Sequence, residues 1–210
     1  MNWQIKYALR SLQENSITAK YLGDELILIS VPQQPDVLAA ITDAHQVSIN
    51  LAQQYRQAKK IDFLCGYREA CVWEGDAIRD LESSGIGWGN LASLLDNSLK
   101  GTANTASHKA YLFSNRLLHQ YKKISSIERE FDRIYRISVG GGPLIRIAMI
   151  NDYETTADTI RTMWENFGPV DVFWNINPNG RITRISTEVA KGIKCRIIPH
   201  NGMNKFLDEC

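Results

Sequence analysis

Five polar residues in the last third of the sequence have the types and spacing of a ligand site. Two of them follow the apolar run 144–150, and three follow the apolar run 170–176. Ligands of open α/β sheets gather beyond the carboxyl ends of the strands, and an arginine there would bind an anionic group. The five candidate residues are Asp152, Glu154, Asn177, Asn179 and Arg181.

A basic segment in the middle of the chain, with aromatic residues between the cations, is a second candidate. Such a surface can hold a phosphate backbone and stack on bases. Three acids, Glu128, Glu130 and Asp132, dilute its charge. In the alternative interpretation, its aromatic side chains pack against the core and its charged side chains are simply exposed to solvent. The candidate nucleic-acid-binding cations are Lys109, Arg116, Lys122, Lys123, Arg129 and Arg133.

No complete motif of a common enzyme mechanism occurs in the sequence. GxSxG, HExxH, Walker and kinase signatures are absent. Residues 140–142 are three glycines, but Pro143 and an apolar strand follow them instead of a helix, which predicts a hairpin turn rather than a phosphate loop. The cysteines form no CxxC pair, and the histidines lack metal-ligand spacing. We expect no catalytic residues, no metal and no cofactor, and favour a binding protein over an enzyme.

Composition and charge exclude several classes of protein. The 210 residues are 44% hydrophobic and 22% charged, which is typical of a folded globular protein. A net charge of +1 gives no bulk attraction to nucleic acid or to a membrane surface. No apolar run approaches the ~20 residues of a membrane helix, and the first residues lack the pattern of a secretory signal. The expectation is a cytoplasmic protein without membrane contact, with a homo-oligomer left open.

A pattern that occurs twice predicts the elements that must position these residues. Each copy has a strand with Asp second, then a helix, another strand and a short final helix; the copies start at Ile61 and Val170. Apolar strands flanked by helices predict sheets covered on both faces. The expected fold is α/β, with two related three-layer units whose mostly parallel or mixed sheets are flanked by helices. Asp62 and Asp171 recur in the two copies as scaffold.

The other predicted elements complete this organisation. A helix begins at Trp3, residues 17–31 form a hairpin, a long helix, intact or broken, starts at Asp36, and Ser125 with Glu128 has the spacing of a capping box that opens a helix through Tyr135. The predicted domains are a unit over 1–100, a helical connector over 101–137 and a second unit over 138–210.

The order helix, hairpin, long helix, strand, helix, strand over Trp3 to Leu99 resembles the restriction-endonuclease-like fold of PD-(D/E)xK nucleases. In that family an Asp, a Glu and a Lys bind Mg²⁺ and orient the attacking water. Asp24 stands where the family's Asp is expected, but Ser30 replaces the Glu and Pro32 replaces the Lys. Neither can supply the missing ligand or cation. The resemblance implies a degenerate nuclease fold without its nuclease site.

The C-terminal half is similar to Rossmann-like nucleotide-binding units, in which a glycine-rich strand end meets a helix N-terminus. Asn175, Asn177, Asn179 and Gly180 occupy the matching place, although GxGxxG is absent. The resemblance implies a nucleotide site there. A polar turn remains the alternative, because Asn, Pro and Gly are common turn formers.

Two functions are therefore expected from the sequence. The first is a non-catalytic binding or assembly factor that contacts nucleic acid or a partner protein through the basic segment. The second is a nucleotide-binding or nucleotide-processing protein with its ligand near Asp152 and Arg181. The sequence favours the first, because every enzyme motif lacks at least one residue that its mechanism needs.

Overall fold

A computed structural model describes residues 2–68 and 70–210 of the chain, with Ser114 described by its backbone alone. These residues form two compact units, and the division falls between Lys109 and Ala110. Each unit contains a five-stranded mixed sheet and a pair of short parallel strands. Within the described residues, no helix combines the length and the apolar character that crossing a bilayer requires.

The first unit is a helix, a three-stranded antiparallel meander and two helical crossovers. Its elements are α1 (Trp3–Glu14), β1 (Thr18–Gly23), β2 (Leu26–Ser30), β3 (Val37–Thr42), β4 (Gln46–Val47), α2 (Ile49–Ala58), β5 (Phe63–Gly66), β6 (Val72–Trp73), α3 (Gly75–Ser83), β7 (Gly87–Gly89) and α4 (Leu91–Leu99), followed by a 3₁₀ turn (Ala103–Thr105).

Except that its 3₁₀ turn precedes the last helix, the second unit repeats this order of elements. They are α5 (Lys109–Leu118), β8 (Ile124–Phe131), β9 (Ile134–Val139), β10 (Leu144–Ile150), β11 (Glu154–Thr155), α6 (Ala157–Phe167), β12 (Val172–Asn175), β13 (Arg181–Ile182), α7 (Arg184–Gly192), β14 (Arg196–Ile198), a 3₁₀ turn (His200–Gly202) and α8 (Met203–Asp208).

Both five-stranded sheets have the same strand order. In the first, β1, β2 and β3 are antiparallel, and β5 and β7 continue the sheet in parallel with β3. In the second, β8, β9 and β10 are antiparallel, and β12 and β14 continue in parallel with β10. The short pairs β4–β6 and β11–β13 are parallel as well. The expected fold class, two α/β units with mixed sheets flanked by helices, is confirmed.

Each sheet is buried on both faces, which the central parallel strands make clear. Successive residues of a strand point to opposite faces. In β5, Phe63 and Cys65 pack into one hydrophobic cluster and Leu64 packs into another. In β12, Val172 and Trp174 pack on one face and Phe173 on the other. Continuous burial of this kind explains why both strands are uninterrupted apolar runs rather than alternating ones.

The recurrent aspartates fasten the first two parallel strands of each sheet together. The Asp62 carboxylate accepts a hydrogen bond from the Leu38 backbone N–H at 2.8 Å, and the Asp171 carboxylate accepts one from the Arg146 N–H at 2.7 Å. The backbone N–H of each aspartate donates in turn to the carbonyl of the same partner residue. These carboxylates are used to hold strand register, which is a scaffold role.

The long helix predicted from Asp36 is wrong in its first part. Residues Val37–Thr42 form β3, a central strand between β2 and β5, and the helix starts only at Ile49. A short apolar run such as VLAAIT fits a buried strand as well as a buried helix, so its spacing does not discriminate between them. The helix start is set by Ser48, whose side chain accepts a hydrogen bond from the Leu51 N–H at 3.3 Å.

The predicted helix from Ser125 through Tyr135 is also wrong. Residues Ile124–Phe131 and Ile134–Val139 are the antiparallel strands β8 and β9. The pairing of β8 with β9 and of β9 with β10 decides their conformation, and such contacts override a local capping-box spacing. The region predicted as a helical connector, 101–137, therefore contains one α-helix, α5, and strand residues of the second sheet. The predicted hairpin turn is confirmed, because Gly140 and Gly141 have positive φ values between β9 and β10.

Candidate functional site

The predicted ligand residues of the second unit gather at one edge of its sheet. Strands β10, β12 and β14 are parallel and end there, and we call this the carboxyl edge. Asp152 and Glu154 lie in the segment that follows β10, and the other three lie in the segment that follows β12. The short pair β11–β13 joins the two segments by placing Glu154 opposite Arg181. The structure thus brings all five predicted residues onto two neighbouring segments.

Asn175, the buried last residue of β12, ties these segments together. Its side-chain N–H₂ donates to the Asp152 carbonyl at 3.1 Å and to the Thr155 hydroxyl at 2.8 Å. Its side-chain oxygen accepts from the Asn177 backbone N–H at 3.0 Å. Asn175 therefore orients both segments from inside the sheet. Its position at a strand end is visible in the sequence, but the partners of its amide are not.

The NPNG segment is a turn that packs closely on Asn175. The Asn177 side-chain oxygen accepts from the Asn179 N–H at 3.0 Å, and the Asn177 carbonyl accepts from the Gly180 N–H at 2.9 Å. A Cβ at Gly180 would lie 2.5 Å from the Asn175 side-chain nitrogen and 2.8 Å from the Asp152 carbonyl oxygen. The segment has the structure of a polar turn, and its glycine permits the close approach of the two segments.

Asp152 lies beside the first turn of α6. Its carboxylate accepts a hydrogen bond from the Thr159 hydroxyl at 2.9 Å, and Thr156 caps the same helix by accepting from the Thr159 N–H at 3.2 Å. The carboxylate is half-buried. Its orientation at the carboxyl edge is therefore fixed, which suits a hydrogen-bond acceptor for a ligand.

Tyr153 and Arg181 form the exposed part of the carboxyl edge. The Tyr153 side chain is 62% exposed, and the Arg181 guanidinium lies 6.0 Å from the centre of its ring. The Arg181 backbone N–H donates to the Tyr153 carbonyl at 2.8 Å, so the two residues are held side by side. An aromatic face next to a cation can bind a flat ring and an anionic group together. Sequence reasoning missed Tyr153, although it stands between the two predicted acids.

A charged and aromatic cluster lies next to this edge. Arg133 makes a bidentate ion pair with the fully buried Asp132, at 2.8 and 2.9 Å, and its guanidinium is 5.0 Å from the centre of the Tyr111 ring. Burial raises the pKa of the Tyr111 phenol, and the groups whose charges act on it include Arg133, Asp132 and Asp152. Arg129 adds a hydrogen bond to the Asp132 carbonyl at 3.0 Å. These charged groups neutralise one another inside the unit.

The predicted nucleic-acid-binding cations do not all lie together. Arg129 and Arg133 are half-buried in the cluster just described, at the end of β8. Lys122 and Lys123 precede β8 and are exposed, and Lys123 forms an ion pair with Asp208. Along β8, Arg129 follows Lys123 by six residues, which separates the two groups by roughly 20 Å or more. The remaining two cations, Lys109 and Arg116, are exposed on α5.

The described residues form no group that could hold a metal ion, and the buried Cys65 has a weakly reactive thiol. Within 2–68 and 70–210, no three side chains of His, Cys, Asp or Glu form a group that could hold a metal ion. No disulfide joins cysteines of the described residues, and burial raises the pKa of the Cys65 thiol, which keeps it protonated and weakly nucleophilic.

The chain matches no family model, no curated protein and no solved structure.

Proposed function

We propose that this protein binds a nucleotide at the carboxyl edge of its second unit. The observation that carries the proposal is the exposed Tyr153 ring held next to Arg181, on two segments that Asn175 ties together. The ring would stack on the base, since every base has a π-face. The guanidinium would bind the phosphate, for which its planar donors are suited.

Neighbouring groups support this orientation of the ligand. Helix α7 begins at Arg184, three residues after Arg181, and its first turn contains no acid, so its positive end favours a phosphate there. The first turn of α6 contains Asp158 and lies beside Asp152, which favours the uncharged, hydroxyl-bearing part of a ligand. Asp152 is an acceptor for hydroxyl or amino hydrogens. The two ends of the site thus suit the two ends of a nucleotide.

Thermal unfolding with a panel of nucleotides tests this proposal. A ligand at one hundred times its Kd stabilises the native state by about 2.7 kcal/mol. For a domain of about 100 residues, such as the second unit, this raises Tm by roughly 10 °C or more. We expect Tyr153→Ala and Arg181→Glu to remove the shift. Arg161→Glu is the matched control, because Arg161 is an exposed arginine of α6 that forms an ion pair with Asp158 of the same helix.

The panel also separates the parts of the ligand. A nucleoside should give a smaller Tm shift because it has no phosphate for Arg181 to bind. Inorganic phosphate should give a smaller shift because it has no base to stack on Tyr153. If no mono-, di- or triphosphate of any base shifts Tm at millimolar concentration, the carboxyl edge is not a nucleotide site.

We propose nucleic-acid association through the exposed lysines of the α5–β8 corner as a second candidate. The observation that favours it is a cleft of about 230 Å³ at this corner, lined by Leu118, His119, Tyr121, Ile124, Ser125, Ser126 and Ile127. Lys122 and Lys123 belong to the same turn. A cleft with polar walls next to two cations suits a strand whose phosphates contact the lysines.

Salt-dependent retention on immobilised single-stranded DNA or RNA checks this second candidate. We expect the double variant Lys122→Glu, Lys123→Glu to bind more weakly and to reduce the slope of log K against log salt by about 1 for each phosphate that the lysines neutralise. Lys59→Glu with Lys60→Glu is the control, because it is another exposed pair in which one lysine is ion-paired, here Lys59 with Asp24. An equal decrease in affinity in both double variants would mean that net charge, and not the α5–β8 corner, causes the effect.

A further inference from the structure

The first unit has a group of three aromatic side chains at its surface, Trp3, Tyr7 and Tyr67, which we call the aromatic cluster. The rings of Trp3 and Tyr7 are stacked with centres 5.7 Å apart. Tyr67 meets both edge-to-face, at 5.2 Å from Trp3 and 5.6 Å from Tyr7. Each ring is therefore oriented by the other two, which makes a preformed surface rather than three independent side chains.

This surface is left in water although the unit buries its other indoles. Trp3 is 64% exposed and Tyr7 is 46% exposed, whereas Trp73 and Trp88 in the same unit are at most 1% exposed. An exposed group of large apolar rings is a mark of an interaction site. The cluster also lies where ligands of such sheets gather, since Tyr67 directly follows the carboxyl end of β5.

Basic residues lie beside the aromatic cluster. In α1 these are Lys6 and Arg10, of which Arg10 forms an ion pair with Glu14 of the same helix at 2.9 Å. The first turn of α1 has neither an acid nor a side-chain cap from Asn2, so its positive end is not compensated by side chains of its own helix. Arg68 follows Tyr67 and is held by a hydrogen bond from its Nε to the Asp43 carbonyl at 2.8 Å. Aromatic rings next to cations fit a ligand that is both planar and anionic.

We infer that the aromatic cluster binds single-stranded nucleic acid, with an unpaired base stacked on Trp3 and the adjoining phosphates near Lys6 and Arg68. Stacking is independent of sequence, because every base has a π-face, and it requires bases that are not already paired. The inference rests on residues of the first unit and is independent of the nucleotide site proposed in the second.

Titration of tryptophan fluorescence with a single-stranded oligonucleotide tests the inference directly. Trp73, Trp88 and Trp174 are buried and Trp164 is half-buried, so the titration is run in a Trp164→Phe background, where a stacked base quenches mainly the exposed Trp3. We expect quenching that saturates, that weakens as salt rises, and that is far smaller with a duplex of the same sequence. Affinity measured by anisotropy of a labelled oligonucleotide should fall on the order of ten-fold in Trp3→Ala and less in Trp3→Phe.

Two controls keep this experiment decisive. Leu22→Ala removes another exposed apolar side chain of the same unit and should leave affinity unchanged. Arg181→Glu should leave the quenching of Trp3 unchanged even if it abolishes nucleotide binding. Equal affinity for duplex and single strand, unchanged affinity in Trp3→Ala, or no binding at low salt would each overturn the inference. So would sedimentation that depends on protein concentration in the native chain but not in Trp3→Ala, because the cluster would then join two copies.

Discussion

Replacing Gly87 by alanine is expected to lower the free energy of unfolding of the first unit by about 3 kcal/mol or more. A Cβ at this position would lie 1.8 Å from the Ala103 carbonyl oxygen and 2.9 Å from a ring carbon of Phe63. Neither neighbour can yield easily, because one is backbone and the other is a fully buried ring. The next strand residue, Trp88, donates its N–H to the Ala106 carbonyl at 2.9 Å. The 103–106 segment thus covers the free edge of β7 and would be displaced.

Urea denaturation of Gly87→Ala beside Gly192→Ala measures this effect. Gly192 ends α7, and a Cβ there would have no neighbour within 4 Å. Alanine at Gly192 should leave stability unchanged or raise it by about 0.5–1 kcal/mol, because alanine loses less backbone entropy in a helix than glycine. Similar midpoints for the two variants would contradict the close packing of β7 against Ala103.

Replacing Asp132 by asparagine should destabilise the second unit by on the order of 3 kcal/mol. The Asp132 side chain is 0% exposed and holds the Arg133 guanidinium through two hydrogen bonds. Removing one charge of a buried pair leaves the other uncompensated in a medium that solvates it poorly. The Tyr111 and Phe167 rings near the guanidinium cannot replace the carboxylate, since cation–π contacts are weaker than a bidentate ion pair.

The first unit supplies the matched control for Asp132. Asp24 occupies the corresponding β1–β2 turn, but its side chain is 84% exposed and its ion pair with Lys59, at 3.2 Å, lies in water. Asp24→Asn should change stability by less than about 1 kcal/mol. A second test is the double variant Asp132→Leu, Arg133→Met, which removes both charges and should recover much of the stability. If Asp132→Asn unfolds no earlier than Asp24→Asn, the buried pair contributes nothing to stability.

The sequence predicts the parallel part of each unit better than the antiparallel part. Strands β5 and β12 are apolar runs followed by turn residues and helices, and this order leaves few topologies open. The run Val37–Thr42 is ambiguous by itself, and only its pairing with β2 and β5 makes it a strand. Ser125 and Glu128 imitate a helix start, yet they lie on an edge strand. In both cases pairing with a neighbouring strand decides between two conformations that the local residues permit.

The candidate site is predictable to the same extent. Asp152, Glu154, Asn177, Asn179 and Arg181 come together because the ends of parallel strands share one edge, which follows from topology alone. The roles of Asn175 and Gly180 depend on two segments that approach each other within a few ångströms. The spacing of residues in the sequence does not predict such an approach. The sequence does not predict the Asp132–Arg133 pair, because it indicates Arg133 as a nucleic-acid-binding cation and Asp132 as an acid that dilutes the charge of that segment.

The repeated topology also has a consequence for how the chain folds. Neighbouring copies of one fold can exchange strands during folding, and such misassembly is a characteristic failure of repeat proteins. Here the equivalent strands β5 and β12 read FLCG and VFWN and share no residue in register. Trp174 would have to enter the space shaped for Cys65, and both positions are fully buried. Overfilling a closely packed core is costly, so we expect the divergence of the two copies to disfavour an exchange of these strands.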